Sequence, residues 1–344
     1  MKHLDHYWYS RSLWLVLLTP LSLMFRILVR MRRAAYRKGL LRSHRIDVPV
    51  IVVGNITVGG TGKTPLVAWL AGYLREQGFK PGIIARGYGG RAISWPQQAR
   101  ADSDPAVVGD EAVLLARITG CPMAVAPNRV AAAEALIKYN DCDLVISDDG
   151  LQHYALQRDI EIIVIDGVRR FGVGFMLPAG PLREPVSRLR EADLLVVNGI
   201  GGPGEYPMKL KAGEVHNLQD ESKTKQLAEF RDCKVHAVAG IGNPERFFQS
   251  LRQTIRRVEA HAFPDHHRYR ANDLRFDDDA PVLMTAKDAV KCRRFASGNE
   301  WYVPVSADMS KDFQARLNAL LEARGCHAAA HAAGEELSSG VRHG

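Results

Sequence analysis

A lysine and a threonine stand side by side at positions 63 and 64, directly behind Gly59, Gly60 and Gly62. This is the residue set that holds a chain of phosphates. Glycines let successive backbone N–H groups turn inward around phosphate oxygens. The lysine then reaches the β- and γ-phosphates, and the hydroxyl after it ligates Mg²⁺. The expected cradle is Thr57, Val58, Gly59, Gly60, Thr61, Gly62, Lys63 and Thr64, with Thr57 where the pattern G-x-x-x-x-G-K-[ST] has its first glycine. Asp148 and Asp149 close an apolar run. At the end of a strand beside the loop, one of them could hold Mg²⁺ or its water, although Asp-Asp-Gly also suits a plain turn. Gly109-Asp110-Glu111 opens an apolar segment. Asp110 is either a helix N-cap or, with Glu111, one of two acids serving a metal and a hydroxyl nucleophile, and spacing leaves both open. In Asp265-His266-His267, His266 could orient or polarise a carboxylate base. Zinc at the paired histidines is not expected, because no third ligand stands at a helpful spacing.

These groups need a frame that brings loops together at strand ends. An apolar run at 48–53 reads as a buried strand, and the glycine loop follows it. A helix is expected over 66–77, stopped by Gly78, with Pro65 tolerated in its first turn. Strands follow at 83–85, 123–126, 144–147, 162–165 and 194–197, with helices at 111–119 and 129–139. Alternation of this kind implies a parallel sheet covered on both faces. A second alternation runs through strands at 235–239, 282–285 and 302–305 and helices at 244–255, 286–295 and 311–323. The expected organisation is a basic helix over 1–45, a phosphate-loop domain over 46–200 and a polar, Gly-rich connection over 201–231. A smaller α/β domain over 232–325 and a disordered low-complexity tail over 326–344 complete it. With His266 in the second domain, closure of the two would complete a site between them.

Charge is distributed unevenly along the 344 residues. The first 45 hold ten Lys/Arg and one acid, a net +9, and the remaining 299 carry −1. The body is therefore no basic nucleic-acid binder. The apolar stretch 13–29 contains Pro20 and Arg26, is marginal for a span of about 20 residues, and runs into a dense cationic segment. Apolar residues with Trp8 and Trp14 beside a dense cationic run suit a helix lying in the membrane interface, and a spanning helix would also leave the body on the cytoplasmic side. The five cysteines are odd in number, widely spaced and without C-x-x-C, which excludes a disulfide framework and points to buried thiols in a reducing compartment.

Seven segments in order carry a resemblance. They are Val53-Gly-Asn-Ile-Thr-Val-Gly-Gly-Thr-Gly-Lys-Thr-Pro65, Ala85-Arg-Gly-Tyr-Gly89, Gly109-Asp-Glu111, Ser147-Asp-Asp-Gly-Leu-Gln-His153, Leu177-Pro-Ala-Gly-Pro-Leu-Arg-Glu-Pro185, Phe263-Pro-Asp-His266 and Leu283-Met-Thr-Ala-Lys-Asp-Ala-Val-Lys291. Together the chain resembles the tetraacyldisaccharide 4′-kinases of lipid A synthesis over roughly residues 1–325. The resemblance implies two α/β/α domains and transfer of the ATP γ-phosphate to the 4′-hydroxyl of a tetraacylated glucosamine disaccharide 1-phosphate. The product would be lipid IVA, made at the cytoplasmic face of the inner membrane. It further implies Asp110 as general base with His266 as partner, Thr64 and Glu111 as Mg²⁺ ligands with Asp148 or Asp149 nearby, and Tyr88 facing the sugar. For Arg86, Arg129 and Arg183 it leaves phosphate contacts and structural ion pairs equally open. Ala112 stands where the family often has Pro, which alters the helix start and removes no functional group. Two other classes share some features. A membrane-recruited GTPase or ATPase switch would share the loop, but Thr285-Ala-Lys-Asp288 is one residue out of register for guanine reading. A non-catalytic scaffold sits badly with intact Lys63, Thr64, Asp148 and Asp149.

Overall fold

The computed structural model describes residues 4–9 and 13–328. An N-terminal helix, α1 (Leu13–Arg37), leads into β1 (Val50–Gly54) and α2 (Lys63–Glu76). Then come β2 (Pro81–Ala85), β3 (Gln97–Ala99), α3 (Pro105–Val108), α4 (Asp110–Thr119), β4 (Met123–Val125), α5 (Arg129–Asn140), β5 (Leu144–Asp148), β6 (Ile160–Asp166) and β7 (Leu194–Asn198). The chain continues through β8 (Tyr206–Ala212), β9 (Val215–Asn217), β10 (Thr224–Lys225), β11 (Lys234–Ala239), α6 (Pro244–Arg252) and β12 (Arg257–Ala262). It ends with β13 (Val282–Thr285), α7 (Ala286–Cys292), β14 (Glu300–Val303), β15 (Val305–Met309) and α8 (Lys311–Ala323).

The larger sheet has the order β15-β8-β7-β6-β1-β5-β2-β4-β3. Its seven inner strands are parallel, and β3 and β15 pair antiparallel at the two edges. Apart from β8, which carries Lys209 and Lys211, the inner strands are largely apolar because both faces are covered. Ile51 and Val53 of β1 pack into the core under α2, α4 and α8, while Val50 and Val52 pack into the opposite core with α5. In α2 the apolar side is Leu66, Val67, Leu70, Ala71 and Leu74, all fully buried. Each leucine so buried stabilises the fold by about 1.5–3 kcal/mol. The smaller sheet has the order β10-β9-β14-β13-β11-β12, parallel over β14 to β12. The expected α/β class, with a parallel phosphate-loop sheet, a second smaller sheet and an N-terminal apolar helix, is the one found.

The expected division of the chain differs from the observed one. The segment 201–231 is no linker: β8 joins the larger sheet, and β9 and β10 join the smaller. The expected strand over 302–305 is two strands in different sheets, β14 and β15. After β15 the chain stays with the larger sheet, where Phe313, Leu317, Leu320 and Leu321 of α8 join the core under α2. The second unit thus ends near residue 303, because the apolar face of α8 fits the larger sheet. Helix α7 belongs to both halves, with Ala289 and Cys292 in the small-sheet core and Val290 in the large-sheet core. The disordered tail expected over 326–344 is not what its first three residues show. Cys326 is buried, Ala328 packs on the same core, and residues 329–344 lie outside the described residues. Of the five thiols, four are buried and Cys233 is exposed.

Helix α1 lies on the body by one side. The Ser22 hydroxyl donates to the Met176 carbonyl at 2.7 Å, and Phe25 and Val29 pack on the α5-side core. Arg33 and Arg37 pair with Glu191 at 2.5 and 2.7 Å. These residues recur every three or four positions, one helical face. The other face, with Leu23, Ile27 and Met31, is more than half exposed.

Candidate active site

The phosphate loop is built by its glycines. Gly59 and Gly62 have φ of 98° and 97°, a left-handed backbone that other residues adopt only under strain. At Gly62 a Cβ would stand 2.6 Å from Asn198 Nδ2, so size forbids a side chain as well. Helix α2 begins at Lys63, not at 66, so the loop N–H groups and the helix N-terminus face one space. The Leu177–Pro185 segment braces the loop from outside: Val58 N–H donates to Pro181 O at 2.8 Å, and Arg183 N–H to Ile56 O at 2.7 Å. Thr57, standing where a glycine was expected, is buried in a bridge to Leu182.

The carboxylates at the end of β5 stand beside this loop and differ sharply. Lys63 Nζ donates to Asn55 Oδ1 at 3.2 Å and lies 3.4 Å from Asp149 Oδ1. Arg183 also reaches Asp149, at 3.1 Å. Burial raises the Asp149 carboxyl, but Lys63 and Arg183 outweigh it and hold the group at about 2. Asp148 is pushed up to about 7 by burial and the charges of Glu111 and Asp149, against the pull of Lys63 and Arg129. Its Oδ1 is buried without a hydrogen-bond partner. An acid pair with one crowded, unpartnered oxygen beside a phosphate cradle fits a divalent cation.

The third element bridges the two sheets. His266 Nδ1 lies 3.1 Å from both carboxylate oxygens of Asp110. Burial raises the Asp110 carboxyl, but the His266 hydrogen bond, Lys287 and Lys291 bring it down to about 2. The Asp110 hydrogen bond in turn raises the His266 imidazole above its usual range. His266 has φ of 59°, a strained backbone for a non-glycine residue, and Tyr88 packs against its ring at 4.8 Å between centroids. Lys287 Nζ reaches Glu111 at 2.9 Å and Asp265 at 3.2 Å, and Lys291 Nζ lies 3.6 Å from Asp110. Asp110 is not the N-cap. It is the first residue of α4, behind Gly109, and its Oδ1 accepts from the Glu111 N–H at 2.9 Å. Beyond this one bond within α4, both carboxylate oxygens face His266, in the loop between β12 and β13 of the smaller sheet.

One cavity of about 1750 Å³ joins these parts. Its walls include the loop from Val58 to Thr64, Asp148, Asp149, Glu111 and His266, and also Phe25, Leu28, Val29 and Arg32 of α1. A phosphate cradle and an apolar helix thus open onto the same space. The chain matches the family model described as tetraacyldisaccharide-1-P 4′-kinase over residues 14–322. The chain belongs to the tetraacyldisaccharide-1-P 4′-kinase family. Among relatives of that name, one from Nitrosococcus oceani is 55% identical over 316 residues, covering 92% of this chain and 93% of its own. One from Methylobacillus flagellatus is 51% identical over 328 residues, covering 93% and 97%. The crystal structure of the "apo" form of LpxK from Aquifex aeolicus in complex with ATP has the same fold, with a TM-score of 0.75 at 26% identity, covering 90% of this chain and 99% of that one. The family read from the seven motifs is the family found.

In this 4′-kinase family member the expected site residues do not all face the cavity. Asp110 is 5% exposed and lies behind His266, which does line the wall. Glu111 lines it too, with its carboxylate held by Lys287. Arg183 and Arg129 turn to Asp149, Arg183 to the carboxylate and Arg129 to the backbone carbonyl at 3.3 Å. Both keep an edge on the cavity, with Arg86 and the 61% exposed Tyr88. Sequence reasoning missed Lys287 and Lys291, whose spacing of four on one short helix was the available signal. It also missed Glu184. That carboxylate is fully buried, accepts from Tyr154 Oη at 2.6 Å and Gln152 Nε2 at 2.9 Å, and lies 3.6 Å from Arg33 of α1. Asn198 ties Thr61 O (3.1 Å) to Arg246 (2.6 Å), coupling the loop to α6.

Proposed function

We propose that the chain transfers the γ-phosphate of ATP to the 4′-hydroxyl of a tetraacylated glucosamine disaccharide 1-phosphate, forming lipid IVA. The observation that carries this reading is the cavity shared by the phosphate loop, the His266 imidazole that Asp110 holds from behind, and the apolar helix α1. The loop N–H groups and Lys63 hold the β- and γ-phosphates and offset their charge as the bond to the leaving ADP oxygen breaks. The acceptor hydroxyl oxygen forms the new bond to phosphorus. Its proton passes to the Asp110–His266 pair, which the cavity meets at the imidazole edge. Asp110 fixes the ring through Nδ1 and stabilises the imidazolium that results. Thr64, Asp148 and Asp149 are the groups that would hold Mg²⁺, with Glu111 once Lys287 releases it. A bound Mg²⁺ would add neutralising charge at the phosphate oxygens. Tyr88, Arg86, Arg129 and Arg183 are the side chains placed to meet sugar and phosphate groups of the acceptor.

Helix α1 is long and apolar enough to cross a membrane. Its contacts from Ser22 to Arg37 lay it along the body, which favours a helix lying in the interface of the inner membrane's cytoplasmic leaflet. Its cationic end meets anionic headgroups there, at about 1 kcal/mol per Lys or Arg. The substrate's acyl chains are then presented at the α1 wall of the cavity. Introducing charge with Leu23→Glu, Ile27→Glu and Met31→Glu should move the protein from membrane to soluble fraction while ATP affinity stays unchanged. Each side chain forfeits about 1.5–3 kcal/mol of burial in lipid. A triple variant that stays membrane-bound would place the contact elsewhere.

The reaction itself is tested by incubating the full chain with ATP, Mg²⁺ and a detergent-dispersed tetraacyl disaccharide 1-phosphate. Mass spectrometry should show one added phosphate on the distal sugar. Nucleotide hydrolysis without acceptor phosphorylation, or a preference for GTP, would favour the switch class instead.

A further inference from the structure

Three potential ligand side chains converge away from the cavity, on the edge of the smaller sheet. Strands β11 and β12 are parallel, with His236 opposite Glu259 and Val238 opposite His261. Alternation along the strands therefore puts His236, Glu259 and His261 on one face of the sheet. Strand β12 is the outermost strand, so solvent reaches this face from the side. The three ligand atoms lie within 4.8 Å of one another, and among the described residues no other such His, Cys or carboxylate group occurs. His236 Nδ1 lies 3.0 Å from His261 Nε2 and 3.7 Å from Glu259 Oε2. Tetrahedral Zn²⁺ at ordinary bond lengths sets its ligand atoms about 3.3 Å apart.

The surroundings complete the pattern. His236 is buried, and its Nε2 stands 2.9 Å from Asp278 Oδ1. That carboxylate can only accept, so Nε2 carries the proton and Nδ1 presents its lone pair to the other two groups. A carboxylate behind the ligating imidazole is the usual support of a metal-bound histidine. Phe276 stacks on the His236 imidazole at 3.8 Å between centroids and packs tilted against that of His261 at 4.4 Å, which restricts both rings. Lys234 competes: its Nζ holds Glu259 at 2.9 Å and Asp278 at 2.6 Å.

We propose that His236 Nδ1, His261 Nε2 and Glu259 form a three-ligand site for a zinc-class divalent ion, distinct from the Mg²⁺ chemistry of the cavity. Two imidazoles and one carboxylate select zinc-like ions over Mg²⁺, which prefers oxygen and octahedral geometry. The fourth position is left to water. The ion clamps β12 to β11, and β12 runs straight into the loop that carries His266.

The test is Zn²⁺ titration of the full chain by calorimetry in excess Mg²⁺, with Co²⁺ as spectroscopic probe. The wild type should bind one more equivalent of Zn²⁺ than the variant Glu259→Gln/His261→Ala, and only the wild type should show strong visible Co²⁺ bands. Glu259 is exposed and His261 half-buried on an edge strand, and unchanged thermal unfolding in chelator confirms that the variant folds. Asp278→Asn should weaken binding about 10–100-fold. Lys234→Met removes the competing ammonium and should tighten it, an effect a purely structural ion-pair cluster would not produce. Zn²⁺ should also slow amide exchange across residues 257–262 in the wild type alone. Equal stoichiometry and affinity in wild type and double variant, or weaker binding in Lys234→Met, would overturn the proposal.

Discussion

Asp110→Asn is expected to slow phosphoryl transfer by about 10²–10⁴-fold while ATP affinity stays within twofold of wild type. The amide keeps an oxygen that His266 Nδ1–H can donate to, so the ring stays near its place. What is lost is the negative charge facing the imidazole, Lys287 and Lys291. Without it the imidazolium formed on accepting the hydroxyl proton has no counter-charge. The phosphate loop lies on a different strand end and is untouched. Single-turnover transfer measured beside nucleotide binding separates the two effects. A rate within threefold of wild type would remove the pair from the chemistry. Because buried ion clusters also support folding, His266→Gln serves as the second variant, with the same expected split between rate and affinity.

The same pair sets a pH dependence whose sign can be worked out. Asp110 raises the His266 imidazole above its ordinary 6.5. A protonated imidazole cannot take the hydroxyl proton, so transfer should rise with pH on a limb above 6.5. In Asp110→Asn the raising charge is gone, and the limb of the residual rate should move to lower pH. A limb that keeps its position would mean that another group titrates there. For stability the linkage runs both ways. The Asp110 contribution is present above the unfolded value of 3.8 and is lost as pH falls through about 2. The His266 contribution is present below 6.5 and fades as pH rises through its raised value.

How much of this was legible before any coordinates follows from the range of each interaction. The phosphate loop was readable because its geometry is local: Gly59 and Gly62 adopt the backbone that only glycine takes cheaply, and Lys63 and Thr64 follow at once. The central strands of the larger sheet were readable because burial on both faces leaves largely apolar runs. Most elements of the second half were readable too, but not which sheet each one joins, because that depends on partners far along the chain. Nothing in residues 305–323 alone says that β15 pairs with β8 or that α8 packs on α2, since an amphipathic helix fits any apolar face. The interrupted polar pattern of 206–225 hid three strands, β8, β9 and β10, of which β10 is a sheet edge and β8 lies one strand in from one. Lys287 lies 176 residues from Glu111, and His266 lies 156 from Asp110. Their residue types suggested chemistry, but pairing across that separation is a property of the fold. Asp110 shows the limit of a local reading, since spacing alone leaves a cap and a catalytic acid both open until the opposing histidine is in place.

Lys63→Ala should lose both halves of the activity, with ATP affinity at least tenfold weaker and the transfer rate down about 10²–10³-fold, the loss typical of one preorganised donor at a developing charge. Two effects compound. The ammonium is withdrawn from the phosphate cradle directly. It is also withdrawn from the acid pair, where it opposes the upward push on Asp148 and holds Asp149 low. Asp148 already sits at about 7, so losing Lys63 drives it further up and leaves more of it protonated at neutral pH. A protonated carboxyl is a poor cation ligand, so Mg²⁺ dependence should weaken in step with nucleotide affinity and partly recover as pH is raised. Calorimetry of ATP binding at fixed Mg²⁺, repeated across pH, reads both effects. Asp148→Asn serves as the comparison, since an amide cannot ionise: it should share the Mg²⁺ defect, show no recovery with pH and retain more ATP affinity than Lys63→Ala. Equal ATP affinity in wild type and Lys63→Ala would take the lysine out of the cradle and with it the reading of the loop.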